Sequence, residues 1–238
     1  MLSSAVPPDT RVRTGPRRAR HLTVLLRASL RAMPKMPLAL GGLVGLLTTA
    51  TPALLHVGLG LPDVAVLSRV AAVAVALGAG FVLDDPAARS TVAVPVSRAA
   101  QRAVRAVPVL VLGTAVWAVA AAVARTTLPQ DARPLFPWGG LAAEAAALVA
   151  LSLALAAVGL RFTEGERGSL VAAPGILLLV ITVALLPEGA ALFLPPGHPS
   201  WAAVHRVWTG LLTAALAGGV LLAGGADSAR LTGTRTRR

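Results

Sequence analysis

The amino-acid sequence predicts an all-α integral membrane protein with six transmembrane helices and both termini in the cytoplasm. Composition is the first observation behind this prediction: 55% of the 238 residues are hydrophobic and only 13% are charged, about half the charged fraction of a typical soluble domain. The second observation is that the apolar residues form long blocks. The third is that Lys and Arg are distributed unevenly between alternate connections. Together they predict a chain that lies in lipid.

Six apolar blocks are long enough to cross a bilayer, which takes about 20 residues in a helix. They are predicted at residues 37–61, 64–83, 106–124, 139–160, 169–186 and 207–226. Arg105 and Arg125 bound the third block closely. Pro174 and Gly175 interrupt the fifth, but lipid-spanning helices tolerate such residues better than soluble helices do. The predicted transmembrane domain therefore covers residues 37–226.

The positions of the basic residues predict the orientation of these spans, because Lys and Arg concentrate in cytoplasmic flanks. With the N-terminus inside, 18 of the 22 basic residues are cytoplasmic, including those of a basic tail at residues 227–238. The aromatic residues near the predicted outer boundary agree with this orientation; they are Phe136, Trp138, Phe193, Trp201 and Trp208. A net charge of +12 also permits nucleic-acid binding. The placement of the arginines beside apolar blocks favours a membrane protein without a nucleic-acid partner.

The N-terminal region is predicted to contain a disordered basic segment, residues 1–17, and an amphipathic helix, residues 18–36. On a helical wheel its basic side chains share one narrow sector; they are Arg20, Arg27, Arg31 and Lys35. Leucine and methionine side chains occupy the opposite side. This pattern is typical of a helix in the membrane interface, with its basic face towards lipid headgroups and water. A soluble amphipathic helix packed on a partner is the alternative.

The connection between the second and third spans, residues 84–108, is the longest connection between spans that is predicted to be cytoplasmic. Arg98, Arg102 and Arg105 are spaced i, i+4 and i+7, so they share one face of a short helix that runs into the third span. Ordinary basic flanking of a span explains these arginines. The functional interpretation is that the loop docks a soluble partner.

One segment of this loop resembles an enzyme motif but lacks the residues that the chemistry needs. Residues 84–89 resemble the opening of the D-G-x-x-A-R motif of CDP-alcohol phosphotransferases, which bind metal ions through four aspartates. Arg102 and Ala106 occupy the positions of two later aspartates. A divalent metal ion requires oxygen ligands and cannot bind where carboxylates are replaced by these side chains.

Other catalytic or nucleotide-binding arrangements are also missing from the sequence. An intramembrane serine protease requires a Gly-flanked Ser and a His on another span, which Ser152 and His205 do not provide. A phosphate-binding P-loop requires a Lys after Gly, but the single lysine, Lys35, has no glycine beside it. We therefore expect no enzyme activity, no metal and no cofactor on this chain.

Two charged residues fall inside predicted spans: Arg69 in the second and Glu144 in the fourth. Both are near the predicted outer ends of their helices, where side chains tilt outwards. One interpretation is that each side chain reaches the interface independently. The other is a direct Arg69–Glu144 pair between spans two and four. Charges within a membrane often mark a functional site.

Small residues are spaced along two of the spans so that another helix can approach closely. The first stripe contains Gly41 and Gly45, and the second contains Gly210, Ala214 and Gly218. A dimer interface is one interpretation of these stripes. Chance matches in a chain rich in alanine and glycine are the other.

Taken together, these elements resemble an ABC-2-type transporter permease. The resemblance rests on six spans, cytoplasmic termini, an amphipathic helix before the first span and a long cytoplasmic loop after the second. It also rests on residues 187–206, an apolar, proline-broken stretch on the outer side between spans five and six. Residues 94–98, VPVSR, resemble the T-P-x-S-R segment of the family's coupling loop, although residues 90–93 replace its usual Gly-Thr-Leu-Glu run.

The resemblance implies the permease subunit of an ATP-driven exporter in the plasma membrane. Its implied partners are a separate ABC ATPase, a second permease subunit and membrane lipids. The implied ATPase-coupling residues are Asp84, Asp85, Arg89, Pro95, Arg98, Arg102 and Arg105. The alternative is a membrane-embedded assembly or scaffold subunit without a transport path.

Overall fold

The computed structural model describes residues 34–84, 98–163 and 167–233, with side chains for 34–84, 105–163, 167–187 and 189–222. The predicted basic segment 1–17 and most of the amphipathic helix, including Arg20, Arg27 and Arg31, lie outside the described residues. Lys35, the last basic residue of that predicted helix, is the first residue of a described one.

Within the described ranges the chain forms six α-helices and no strand. They are α1 (Lys35–Leu54), α2 (Leu61–Gly80), α3 (Arg98–Arg125), α4 (Trp138–Phe162), α5 (Ser169–Ala184) and α6 (Trp201–Gly233). Short 3-10 turns occupy Arg133–Leu135 and Glu188–Ala190. Five of the helices are long and apolar enough to cross a membrane. The exception is α5, whose 16 residues make a helix about 24 Å long.

Several helices begin or end away from the predicted span boundaries. α1 ends at Leu54 rather than at residue 61, because His56 has a left-handed φ of 55° and the chain turns there. By contrast, α3 begins at Arg98, eight residues before the predicted third span. Its first residues are mostly alanine, arginine and glutamine, which favour helix. Hydropathy therefore indicates where lipid begins, whereas backbone preferences determine where the helix begins.

The centre of the bundle is formed by α2 and α4, which pack on each other and are the most buried of the five long helices. α2 also contacts α1, α3 and α5, and α4 also contacts α3, α5 and α6. Many of their fully buried positions are alanines: Ala65, Ala71, Ala76, Ala145, Ala147 and Ala156. Such small side chains allow helix backbones to approach closely in lipid.

The two predicted small-residue stripes have different surroundings. A Cβ atom on Gly41 would lie 2.4 Å from the carbonyl oxygen of Ala74 on α2, and one on Gly45 would lie 3.3 Å from Ala71. The stripe on α1 is therefore used for packing inside the chain. On α6, a Cβ atom on Gly210 or Gly218 would meet nothing within 4 Å.

The connections between helices meet at two opposite ends of the bundle. At one end the amide of Leu59 donates a hydrogen bond of 3.2 Å to the carbonyl of Thr127, joining the α1–α2 and α3–α4 connections. We call this the aromatic end; it comprises residues 55–69, 126–144 and 185–208. The basic end comprises residues 80–84, 98–106, 156–163 and 167–169. There, Asp84 after α2 contacts Ser169 at the start of α5.

Candidate functional site

A buried pair of opposite charges joins α2 and α4 at the aromatic end. Arg69 Nε donates to Glu144 Oε2 at 2.7 Å, and Arg69 Nη2 donates to Glu144 Oε1 at 2.9 Å. Only 8% of Arg69 and 1% of Glu144 is exposed. The sequence left two interpretations open, namely independent side chains that each reach the interface or a direct Arg69–Glu144 pair. In the structure the two side chains form the pair. Two parallel charge-assisted hydrogen bonds are the strongest geometry available to these side chains.

Arg69 also binds the segment between α5 and α6, residues 185–200, which we call the α5–α6 segment. Arg69 Nη2 donates to the carbonyl oxygen of Leu194 at 2.7 Å. The guanidinium carbon lies 5.2 Å from the ring centre of Phe193 and 5.9 Å from that of Trp201. Aromatic faces attract such a cation. One arginine therefore contacts α4, the α5–α6 segment and the beginning of α6.

A second anchor for the α5–α6 segment comes from α6. The indole nitrogen of Trp208 donates to the carbonyl oxygen of Leu192 at 3.0 Å. The Trp208 ring stacks on Phe193, with 5.4 Å between ring centres. The Trp208 side chain is fully buried although it lies only seven residues into α6. The segment is thus held against the end of the bundle from both sides.

His205 adds a third ionisable group to the pair. Its Nε2 lies 3.0 Å from Glu144 Oε1, within ion-pair distance, but the two atoms are not aligned as a hydrogen bond. Its Nδ1 lies 2.8 Å from the carbonyl oxygen of Trp201. The side chain is 12% exposed. We call Arg69, Glu144 and His205 the ion cluster; it links α2, α4 and α6.

Gly140 on α4 leaves the space that the His205 ring occupies. A Cβ atom at this position would lie 2.7 Å from His205 Nε2 and 2.8 Å from the Trp201 ring. At the adjacent Gly139 a Cβ atom would meet nothing within 4 Å. The approach of α6 to α4 at the ion cluster therefore depends on one particular glycine.

A further polar contact fixes α3 beside the ion cluster. The indole nitrogen of Trp117 donates to the carbonyl oxygen of Ser68 at 2.9 Å, one residue before Arg69. Trp117 is almost completely buried, in agreement with its deep position in the third apolar block. A helix carbonyl that also accepts a side-chain hydrogen bond is well satisfied in an apolar environment.

At the basic end, Asp84 caps α5. Its Oδ1 accepts a hydrogen bond of 3.0 Å from the backbone amide of Ser169, and its Oδ2 accepts one of 2.6 Å from the Ser169 hydroxyl. A carboxylate is favourable at a helix N-terminus because the first amides are unpaired and the helix dipole is positive there. This contact joins the end of the second apolar block to the fifth helix.

The other predicted coupling residues are described only in part. Asp85, Arg89 and Pro95 lie outside the described residues, and the structure gives only the backbone of Arg98 and Arg102, in the first turns of α3. Arg105 lies two turns into α3 and is half-buried. Asp84 is thus a predicted coupling residue for which the structure gives a definite contact, the one with Ser169.

The chemical possibilities of the ion cluster are limited by these contacts. Both carboxylate oxygens of Glu144 accept from Arg69, so this carboxylate is held as an ion-pair partner. In the part of the chain that the structure describes, no group of three or more His, Cys, Asp or Glu side chains could hold a metal ion. The arrangement is suited to holding helices and the α5–α6 segment together through charge.

Comparisons of this chain with protein-family models, with curated proteins and with solved structures found no match.

Proposed function

We propose that this chain is the permease subunit of an ABC-2-type exporter, which moves a substrate across the plasma membrane as a dimer powered by a separate ATPase. The observation that carries the proposal is the α5–α6 segment. It leaves α5 at the aromatic end, forms only a 3-10 turn, and is anchored by Arg69 and Trp208 before α6 begins. An apolar, non-spanning segment between the fifth and sixth helices is what the resemblance implies.

The length of α3 also supports a soluble partner at the basic end. α3 has 28 residues, of which 105–125 form the candidate span. Residues 98–104 extend the helix by about 10 Å, at 1.5 Å per residue. A rigid helical extension at the end of a span is suited to transmit force from an ATPase. The same loop reaches α5 through the Asp84 cap.

In this mechanism, closure of the ATPase moves the loop between α2 and α3. The movement reaches α3 directly and α5 through Asp84, while the aromatic end stays fixed by the ion cluster. The transport path opens between two permease subunits. Of the two small-residue stripes, the one on α6 is free for the second subunit, since a Cβ atom on Gly210 or Gly218 has open space.

The test is purification of the tagged chain from its native host in mild detergent. We expect an ATPase subunit to co-purify, because the chain needs an external source of work. The double variant Arg98→Glu and Arg102→Glu should lose this subunit. Charge reversal can also disturb the positive-inside signal, so insertion must be checked in the same preparation. The matched control is Arg167→Glu, which reverses an exposed charge on another connection at the same end.

Purification of the chain without an ATPase subunit would support an assembly or scaffold subunit. One observation favours that alternative: a cleft of about 130 Å³ between α3, α4 and α6 is lined only by Leu, Ala, Val and Gly. Such a cleft offers no polar group to a hydrophilic substrate. If no ATPase co-purifies and the arginine reversals leave the chain and its partners unchanged, the exporter proposal should be replaced by the scaffold one.

A further inference from the structure

The hydrogen-bonding atoms around His205 do not match a neutral imidazole. Its Nδ1 faces the carbonyl oxygen of Trp201 at 2.8 Å, and its Nε2 faces Glu144 Oε1 at 3.0 Å. A carbonyl oxygen and an ionised carboxylate can only accept hydrogen bonds. A neutral imidazole has one N–H and one bare nitrogen. In either tautomer, one bare ring nitrogen would therefore lie close to an oxygen that cannot donate a hydrogen bond to it.

A proton at this place removes the mismatch. With both ring nitrogens protonated, Nδ1–H donates to Trp201 and Nε2–H attracts Glu144. We propose that Glu144 and His205 together bind one exchangeable proton, and that this proton holds the first turn of α6 and the α5–α6 segment against α4.

Little water reaches the two groups. Glu144 is 1% exposed and the Nε2 atom of His205 is buried without an aligned hydrogen bond, so solvent does not satisfy either group. With the proton bound, the cluster holds two cationic groups and one carboxylate. The Trp201 ring lies 4.1 Å from the His205 ring and also faces Arg69. An aromatic face stabilises cations that are removed from water.

The charged groups that face His205 are Glu144 from α4 and, beyond it, Arg69 from α2. The other ionisable side chains described at the aromatic end or next to it are exposed or bonded elsewhere: His56, Asp63, Arg125, Asp131, Arg133, His198 and Arg206. Histidine is the side chain that normally changes charge between about pH 5 and pH 8. The experiment therefore compares pH 5 with pH 8.

Loss of the proton should loosen the α5–α6 segment. With the remaining ring proton on Nδ1, the bare Nε2 of His205 would then lie 3.0 Å from Glu144 Oε1. The ring can relieve the repulsion between these two atoms by moving away from Glu144. His205 is in the first turns of α6, immediately after the segment that Arg69 holds by the carbonyl of Leu194. Movement of this ring displaces the start of α6. The proton-bound form is thus closed, and raising the pH should favour an open form.

The test uses cysteine labelling of the purified chain in detergent, where both ends are accessible and no transport or partner is needed. The chain has no cysteine, so Leu194→Cys and Ser200→Cys each provide a single thiol. Leu194 is buried and Ser200 is exposed. Dividing the labelling rate of Leu194→Cys by that of Ser200→Cys removes the ordinary effect of pH on thiol reactivity. We expect this ratio to rise on the order of tenfold from pH 5 to pH 8.

His205→Gln is the matched variant, because its amide donates a hydrogen bond towards Glu144 at every pH and does not titrate. The ratio should be independent of pH in this background. A ratio that does not change with pH in the unaltered cluster, or that changes equally in His205→Gln, would overturn the proposal. If His205→Gln fails to fold, nitrogen NMR of histidine-labelled protein decides. A buried histidine with two N–H groups at pH 5 supports the site, and a single neutral tautomer from pH 5 to pH 8, without a protonated Glu144 carboxyl in the infrared spectrum, refutes it.

Discussion

At the aromatic end, three helices are joined by ionisable side chains that are largely buried, whereas at the basic end the side chain of Asp84 caps a helix. Arg69 and Glu144 share two hydrogen bonds, and Arg69 also holds the backbone of Leu194. Asp84, by contrast, is half-buried and contacts one residue, Ser169. The free energy needed to break these contacts is therefore expected to be greater at the aromatic end than at the basic end.

The difference follows from the environment of each contact. A charge left without its partner in an apolar site costs several kcal/mol, so the aromatic end is stable only as a complete unit. A helix cap contributes about 1 kcal/mol, because water can replace it. Loss of this cap is therefore expected to cost less than separation of the buried pair. This contrast suits a chain that is fixed at one end and receives movement at the other, as the proposed function requires.

The largest expected effect is from breaking the buried pair. Arg69→Met or Glu144→Met alone should each reduce stability by about 3–5 kcal/mol, because each variant strands the opposite charge in an apolar site. The double variant should lose less than the sum of the two. The measurement is unfolding of the purified chain in detergent for all members of the double-mutant cycle.

The control for this cycle is Arg206→Met, which removes an exposed positive charge at the same end. It should change stability by less than about 0.5 kcal/mol. Strictly additive losses in Arg69→Met with Glu144→Met would contradict a coupled pair. A control variant as damaging as Arg69→Met would show that net charge, not pairing, determines stability at this end.

An intermediate effect is expected from enlarging either of two glycines that lie against different kinds of neighbour. At the basic end, a Cβ atom on Gly168 would lie 2.5 Å from the carbonyl oxygen of Ala156, a backbone atom. Gly168→Ala should therefore cost about 1–3 kcal/mol. At the aromatic end the obstacle to Gly140→Ala is the His205 side chain, which can move. We expect a smaller loss of stability there, measured by the same unfolding experiment.

Gly140→Ala should instead act on the ion cluster. Displacing the His205 ring from Glu144 should raise the labelling of Leu194→Cys at pH 5 towards its value at pH 8. Gly139→Ala is the matched control, since a Cβ atom there meets nothing within 4 Å. Equal labelling in the two variants would mean that the position of the His205 ring does not control the α5–α6 segment.

Much of the helical architecture can be predicted from the sequence because apolar blocks and their charged boundaries are visible in it. The helix ends are less predictable, since the left-handed φ of His56 and the early start of α3 depend on backbone conformation rather than hydropathy. The fifth block is predicted as a span, but α5 has only 16 residues. Orientation in the membrane remains a prediction from the distribution of basic residues.

The ion cluster can be predicted only in part. Arg69 and Glu144 are conspicuous as charges within apolar blocks, and the sequence left pairing open as one interpretation. His205 is not predicted to join them, because the predicted sixth span begins at residue 207, whereas α6 begins at Trp201 and includes His205. The carbonyl of Leu194 has no sequence signature, because every residue has one. The proximity of these groups is visible only in the three-dimensional structure.

The smallest expected effect is from removing the cap at the basic end. Asp84→Ala eliminates both hydrogen bonds to Ser169 and should reduce stability by about 1 kcal/mol. Ser169→Ala removes the hydroxyl contact but keeps the bond from the backbone amide to Asp84, so it should cost less. Unfolding of both variants in detergent, beside the unaltered chain, provides the measurement.

Asp63→Ala supplies the comparison at the other end of α2. Asp63 accepts a hydrogen bond of 3.2 Å from the amide of Gly60 at an exposed position, so its removal should also cost about 1 kcal/mol or less. Similar losses for Asp63→Ala and Asp84→Ala would show that such carboxylate caps are equally weak at both ends. The greater rigidity of the aromatic end would then arise from the ion cluster itself. If Asp84→Ala instead matched the loss of Arg69→Met, the basic end would be as rigid as the aromatic end, and it could not transmit movement in the proposed way.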